Sequence, residues 1–172
     1  YVVDTLSAAI GVGILAELAY DLAQQGMDAE AIVAELEKEK HNVVLLAALD
    51  TLEYLVRGGR LSKVAGLAGG LLNIKPVITL KDGEIAVFGK ARGTKQANVI
   101  LNQGVEGVGG VDAAKPVLFG YTGLTDELLQ KYIGESVAIY SEVKKTDAPL
   151  ISGAVGTHVG PGAYAVAFFK ND

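Results

Sequence analysis

Cysteine and tryptophan are absent from this 172-residue chain, methionine occurs once, histidine twice and proline four times. Without cysteine there is no disulfide, no thiolate nucleophile and no Cys-based zinc site. That usage suits a reducing cytoplasm, the expected location. Two histidines far apart, with no patterned acidic partners, argue against a metal centre, and no cofactor is expected. Long apolar runs are also missing: Val64 to Leu72 and Val43 to Leu49 fall well short of the roughly 18 residues that span a bilayer. Leu6 to Ala16 comes nearest to a signal-peptide core, but Asp4 rather than a basic region precedes it. An excess of positive charge is absent too. The formal charge is −5 and the pI near 5.1, against a protein that coats nucleic acid through bulk charge.

What is present describes a globular domain. Half of the residues are apolar and a fifth are charged, a balance that excludes a disordered tail. Tyr1-Val2-Val3-Asp4 reads as a strand already under way, with no initiator Met, so a chain cut from a longer protein is expected. Ile10, Ile14, Leu15, Leu18, Ala19 and Leu22 recur at helical spacing, and Gly26 closes that helix. Asp28 is placed to cap the next helix, whose acids Glu30, Glu35, Glu37 and Glu39 form a solvated face. Val43 to Leu49 reads as a buried strand. Asp50-Thr51-Leu52 opens a short helix, which Arg57-Gly58-Gly59-Arg60 breaks. A Gly- and Ala-rich helix is predicted over Leu61 to Leu72.

Ile74 to Leu80 and Ile85 to Lys90 flank Lys81-Asp82-Gly83-Glu84, a hairpin signal. Thr94 caps a predicted helix to about Val105. Lys115 to Tyr121 reads as a strand, and a helix over Leu124 to Ile133 is capped by Thr122 or Thr125. Ser136 to Val143 and Ala163 to Phe169 read as strands. The fold class is therefore α/β or α+β, with a partly antiparallel sheet flanked by helices.

Two features point toward a ligand. Residues 57 to 95 carry eight bases (Arg57, Arg60, Lys63, Lys75, Lys81, Lys90, Arg92 and Lys95) and two acids (Asp82 and Glu84). A basic block on an acidic chain fits an anionic ligand or an acidic partner, and equally a solvated basic face. The second feature is Gly156-Thr157-His158-Val159-Gly160-Pro161-Gly162, read as a loop between apolar strands. An imidazole held there can give a carboxylate a charge-assisted hydrogen bond, and Thr157 can add a hydroxyl. His41, at a charged helix end, reads as solvated. Gly11-Val12-Gly13 lacks the third glycine of a dinucleotide turn, and no serine lies in a nucleophile elbow. The residues lean toward binding. The competing reading is a transferase or hydrolase for a phosphorylated or carboxylated metabolite, with His158 as general acid–base.

Four segments in order carry a family resemblance: Asp50-Thr51-Leu52-Glu53-Tyr54-Leu55-Val56-Arg57-Gly58-Gly59-Arg60-Leu61-Ser62-Lys63, Leu72-Asn73-Ile74-Lys75-Pro76-Val77, Lys90-Ala91-Arg92-Gly93, and Gly156 to Gly162. Together they resemble the DegV family of bacterial fatty-acid-binding proteins, some of which serve as the acyl-carrying subunit of fatty acid kinase. The resemblance implies a two-domain protein, residues 1–41 ending an N-terminal α/β domain and 42–172 forming the C-terminal domain. It implies a long acyl chain in an apolar tunnel, its carboxylate bound by His158 and by hydroxyls lying upstream of Tyr1. Arg60 then lies near the head group, and Arg92 at the position associated with docking an ATP-dependent kinase. Ala9 stands where many members carry a second Ser. The function so implied is non-catalytic: to hold the fatty acid and present its carboxylate for acyl-phosphate formation.

Overall fold

A computed structural model describes residues 1–60, 74–143 and 146–171. The helix predicted over Leu61 to Leu72 lies outside the described residues. The elements run α1 (Ile10–Gln24), α2 (Ala29–Glu39), β1 (Val43–Ala48), α3 (Glu53–Arg57), β2 (Lys75–Lys81), β3 (Glu84–Ala91), α4 (Thr94–Gly107), β4 (Val117–Tyr121), α5 (Glu127–Glu135), α6 (Val137–Tyr140), β5 (Thr146–Asp147), α7 (Gly153–Val159) and β6 (Tyr164–Phe169). The described strands form one six-stranded sheet in the order β3-β2-β1-β6-β4-β5. All its neighbours are antiparallel except β4 and β5. This is the mixed α/β architecture that the sequence predicts, its partly antiparallel sheet being antiparallel at all but one pairing.

Burial on both faces explains why β1 and β6 read as apolar runs rather than alternating ones. Leu45, Ala47, Ala165 and Ala167 point to one face and pack with Ile10, Ile14, Leu15 and Leu18 of α1. Leu46, Ala48, Val166 and Phe168 point to the other, under Ala97, Leu101 and Val105 of α4 and Leu129 and Tyr132 of α5. Pairing of Leu46 with Val166 fixes the register; a one-residue slip would exchange the two faces.

Local signals decide the element ends. The Asp28 carboxylate accepts the Ala31 N–H at 2.9 Å, capping α2 as expected. Asp82 and Gly83 take φ of 52° and 78°, making the β2–β3 turn the primed type that matches strand twist. A bulge between Val77 and Ile78 places Phe88 as the extra residue of β3.

Several predicted elements differ. Tyr1 to Asp4 is not a strand: the Asp4 carboxylate accepts the Leu6 N–H at 3.0 Å, and the Thr5 hydroxyl accepts the Ser7 N–H at 3.3 Å. These side-chain bonds turn the chain after Asp4, and Tyr1 and Val2 are left exposed. Ser136 to Val143 is not a strand either, since α6 occupies its middle. Tyr132, Ser136 and Tyr140 recur every fourth residue, and the phenols of Tyr132 and Tyr140 meet at 2.6 Å in the core. Thr94 is the first residue of α4 rather than its cap, which is Gly93, and α5 begins only at Glu127.

Behind the sheet, polar groups are paired within the core. The Tyr164 hydroxyl donates to Asn98 Oδ1 at 2.6 Å, and Asn98 Nδ2 donates to Glu135 Oε2 at 2.7 Å. Burial pushes the Tyr132 phenol up to about 12, outweighing its bonds to Tyr140 and Ser136, and burial raises Tyr140 and Tyr164 as well. At the opposite end of the molecule, Lys115 Nζ donates to the buried Glu39 carboxylate at 2.8 Å and lies over the Phe169 ring. Burial alone would raise the Glu39 carboxyl, but hydrogen bonds from Lys115 and Asn42 and the charges of Lys115 and Lys38 bring it below the usual range. A carboxyl so lowered stabilises the fold above its unfolded pKa and loses that contribution as pH falls through its folded value. Lys115→Met strands the carboxylate, and urea unfolding at pH 7 is expected to show a loss of about 2–3 kcal/mol. The same measurement near pH 4 should show a smaller loss, because a protonated Glu39 no longer needs a countercharge.

Candidate functional site

The sequence-predicted residues collect at one end of the sheet. β1 runs out there into Leu49 and Asp50, β2 begins at Lys75, β3 ends at Ala91, β4 ends at Tyr121, and β6 begins at Tyr164. Antiparallel pairing makes this inevitable: Ala48 lies opposite Val77 and Tyr164, and Lys75 opposite Ala91. The Lys75 ammonium pairs with the Asp50 carboxylate across this end. Arg57 is likewise paired, with Glu53 at 2.5 Å along α3. Part of the basic block is thus neutralised internally, while Lys81, Lys90, Arg92 and Lys95 are exposed.

Two close approaches join α3 to α7. His158 is not on a loop as predicted but in the last turn of α7, and only Gly160 to Ala163 remain as a connection to β6. The correction is one of local order, since Gly160 N–H donates to Gly156 O at 2.8 Å and closes the helix. The His158 ring lies edge-on to the Gly58 backbone, where an added Cβ would stand 2.2 Å from Nδ1. Gly160, at φ 78°, lies under the Tyr54 ring, and a Cβ there would fall 2.3 Å from it. The Gly-Gly-Arg turn and the Gly-Thr-His segment, about a hundred residues apart, therefore fit each other only because both positions lack side chains.

The polar groups are unequally available. His158 Nδ1 is buried with no hydrogen-bond partner among the described residues. The other ring nitrogen, Nε2, can serve as a donor to an anion when it carries a proton. Arg60 Nη1 donates to Gly58 O at 2.9 Å, bringing its guanidinium to the same turn, and the residue is exposed. Thr157 is exposed and donates its hydroxyl to Ala154 O at 3.1 Å, within its own helix. The Arg92 backbone N–H donates to Gln96 Oε1 at 2.6 Å, and the side chain extends from the exposed start of α4.

Beside α7 lies a cavity of about 80 Å³ lined by apolar groups, including Ala47, Leu49, Ile78, Leu80, Val155 and Val159. It is smaller than the roughly 300–1,000 Å³ of a complete small-molecule site, and its size suits a segment of an alkyl chain. Val155 and Val159 line it while His158, one residue away, meets Gly58. A larger and more open groove, about 410 Å³, lies on the other flank of the same connection, beside Leu124 and Pro161.

Sequence reasoning missed Thr122. Its hydroxyl does not cap α5; it is buried, donates to Gly160 O at 2.6 Å and accepts the Ala163 N–H at 3.0 Å. No neighbouring residue announces this, because the partners lie 38 and 41 positions away. Among the described residues no group of His, Asp and Glu is arranged to hold a metal ion, and no helix is long and apolar enough to cross a membrane.

Comparison with known proteins places this arrangement in a family. The family model described as "Uncharacterised protein, DegV family" matches residues 1–171. A DegV domain-containing protein of Streptococcus pneumoniae is 37% identical over 146 residues, covering 84% of this chain and 50% of that protein. One from Caldanaerobacter subterraneus is 32% identical over 170 residues, covering 97% of this chain and 59% of its own length. The chain thus spans about half to three fifths of these curated relatives. Among solved structures, a fatty-acid-binding DegV family protein from Thermus thermophilus superposes with a TM-score of 0.85 at 29% identity, covering 99% of this chain and 61% of that one. The Fatty Acid Kinase (Fak) B3 protein of Streptococcus pneumoniae, loaded with linoleic acid, also gives 0.85 at 25% identity, covering 99% and 60%. The family model spans nearly the whole sequence, and this chain belongs to the DegV family.

Proposed function

We propose that this protein binds a long-chain fatty acid, with the alkyl chain entering the apolar cavity beside α7 and the carboxylate directed to His158. The observation that carries the reading is the position of α7, whose valines line the cavity while its histidine faces the Gly58 turn. Burying each methylene contributes about 0.8 kcal/mol, so the tail supplies most of the affinity and the head group needs few donors. His158 Nε2–H and the Arg60 guanidinium supply two of them. Thr157 supplies a third by exchanging its bond to Ala154. In this reading residues 42–172 form the C-terminal domain, and 1–41 close the domain before it.

The role is non-catalytic: the bound carboxylate is presented to a separate ATP-dependent kinase, which forms the acyl phosphate. The exposed Arg92, at the same end of the sheet as His158, contributes to docking that kinase. Fatty acid binding by the Thermus thermophilus protein and the linoleic acid held by the Streptococcus pneumoniae Fatty Acid Kinase (Fak) B3 protein support the ligand class, and the second supports the kinase pairing.

His158→Ala is expected to weaken binding of oleic acid by roughly 10- to 100-fold, the loss of one hydrogen bond to a charged group. Isothermal titration measures it directly, and an unchanged affinity would refute the role. Gly58→Ala places a methyl where the imidazole lies and should weaken binding in the same direction. Ala47→Leu fills the cavity and should reduce affinity for long chains more than for short ones. Arg92→Glu should suppress acyl-phosphate formation with kinase and ATP while leaving oleate affinity within about twofold.

A further inference from the structure

The connection Gly160-Pro161-Gly162 must be held in place for His158 to keep its position, because Gly160 ends the helix that carries it. Backbone bonds alone tie it at one side: Gly162 N–H donates to Thr122 O at 3.0 Å and Thr122 N–H to Ala163 O at 2.9 Å. The Gly160 N–H is spent inside α7, on Gly156 O, and its carbonyl is reached by a side chain, the Thr122 hydroxyl at 2.6 Å. That hydroxyl also accepts the Ala163 N–H at 3.0 Å, so its proton is directed at carbonyls: Gly160 O, with Ala163 O a longer 3.4 Å away. Thr122 is only 4% exposed, leaving water little access to replace either bond. On the opposite side Gly160 is backed by the Tyr54 ring. The end of α7 is therefore clamped between a hydroxyl and an aromatic face.

We propose that Thr122 is a positioning residue for the carboxylate site. It acts through the Gly160 carbonyl to hold the last turn of α7, and with it the His158 ring against Gly58. The inference rests on the fatty-acid reading for its consequence in binding, though not for its effect on His158. Thr122 touches no ligand in this scheme. Its hydroxyl proton stays on the hydroxyl, and the residue contributes only direction. It follows that the head-group term of affinity depends on Thr122 more than the tail term does, because Val159, next to His158, is one wall of a cavity that residues of β1 and β2 also line.

The test uses Thr122→Val, which keeps volume and removes both hydroxyl bonds, and Thr122→Ser, which keeps them. Thr122→Cys, of similar size with a weaker donor, stands in for Val should that variant not fold. The first readout is the His158 ring in NMR spectra of the unliganded protein. Only two histidines are present, and His41→Gln assigns them. Val should shift the His158 ring signals while Ser leaves them in place; unshifted signals in Val overturn the proposal. The second readout compares oleic acid with oleyl alcohol. Val should lower affinity for the acid about tenfold, leave the alcohol within about twofold, and be rescued by Ser. Equal weakening of acid and alcohol would mark a merely structural role and overturn the proposal. A wild-type protein that binds neither would refute the fatty-acid reading instead, and the ring signals would then decide Thr122 alone.

Discussion

Antiparallel pairing of β1 with β6 is the constraint on which the rest of the molecule depends. Six successive pairs join the two strands, from Val43 with Phe169 to Ala48 with Tyr164. The pair is buried on both faces, so every other element is obliged to cover one side or the other. α1 and α7 gather over the face of small and branched residues, and α4 and α5 over the face that carries the large aromatics. Because β1 and β6 run in opposite directions, the chain leaving one and the chain entering the other emerge together. The two segments that form the candidate site, Asp50 to Arg60 and Gly153 to Gly162, are neighbours for that reason alone.

The two sides of the sheet use different physics. Behind it, phenols, amides and a carboxylate are joined by directional bonds, as in the Tyr164–Asn98–Glu135 chain. Such a network is satisfied in one arrangement and penalises others. In front of it, the cavity is bounded by alanine, leucine, isoleucine and valine. Dispersion and burial are insensitive to orientation, so this side accepts alkyl groups of differing shape without breaking any bond. One face is thus rigid and directional, and the other is tolerant of shape.

Much of this was legible in the residues. β1, the Asp82-Gly83 hairpin and the Asp28 cap are local features, set by patterns within a few positions. The Gly-Gly-Arg and Gly-Thr-His motifs were also visible, and they marked the segments that meet at Gly58. What stayed hidden was tertiary. Val137 and Ile139 read as a strand by type, while Ser136 bonds to Asn102 and Tyr140 packs on Tyr132 and Phe119, contacts from outside the segment that accompany the helix. Tyr1 to Asp4 has strand composition but joins no strand of the described sheet. The Thr122 clamp depends on a strand pairing that brings β4 beside the start of β6, a contact that carries no composition of its own.

The bulge at Phe88 has a consequence for the molecule in company with copies of itself. β3 and β5 are the two borders of the sheet, and each offers a row of backbone donors and acceptors on its outer side. β5 is two residues long, too short to template another strand. β3 is longer, but its ladder is interrupted at Phe88, and exposed Lys90 follows two residues on, with exposed Lys81 beside the strand's start at Glu84. A strand approaching from another molecule would meet mismatched spacing and two ammonium groups, which is how sheets with open borders resist growing into fibres.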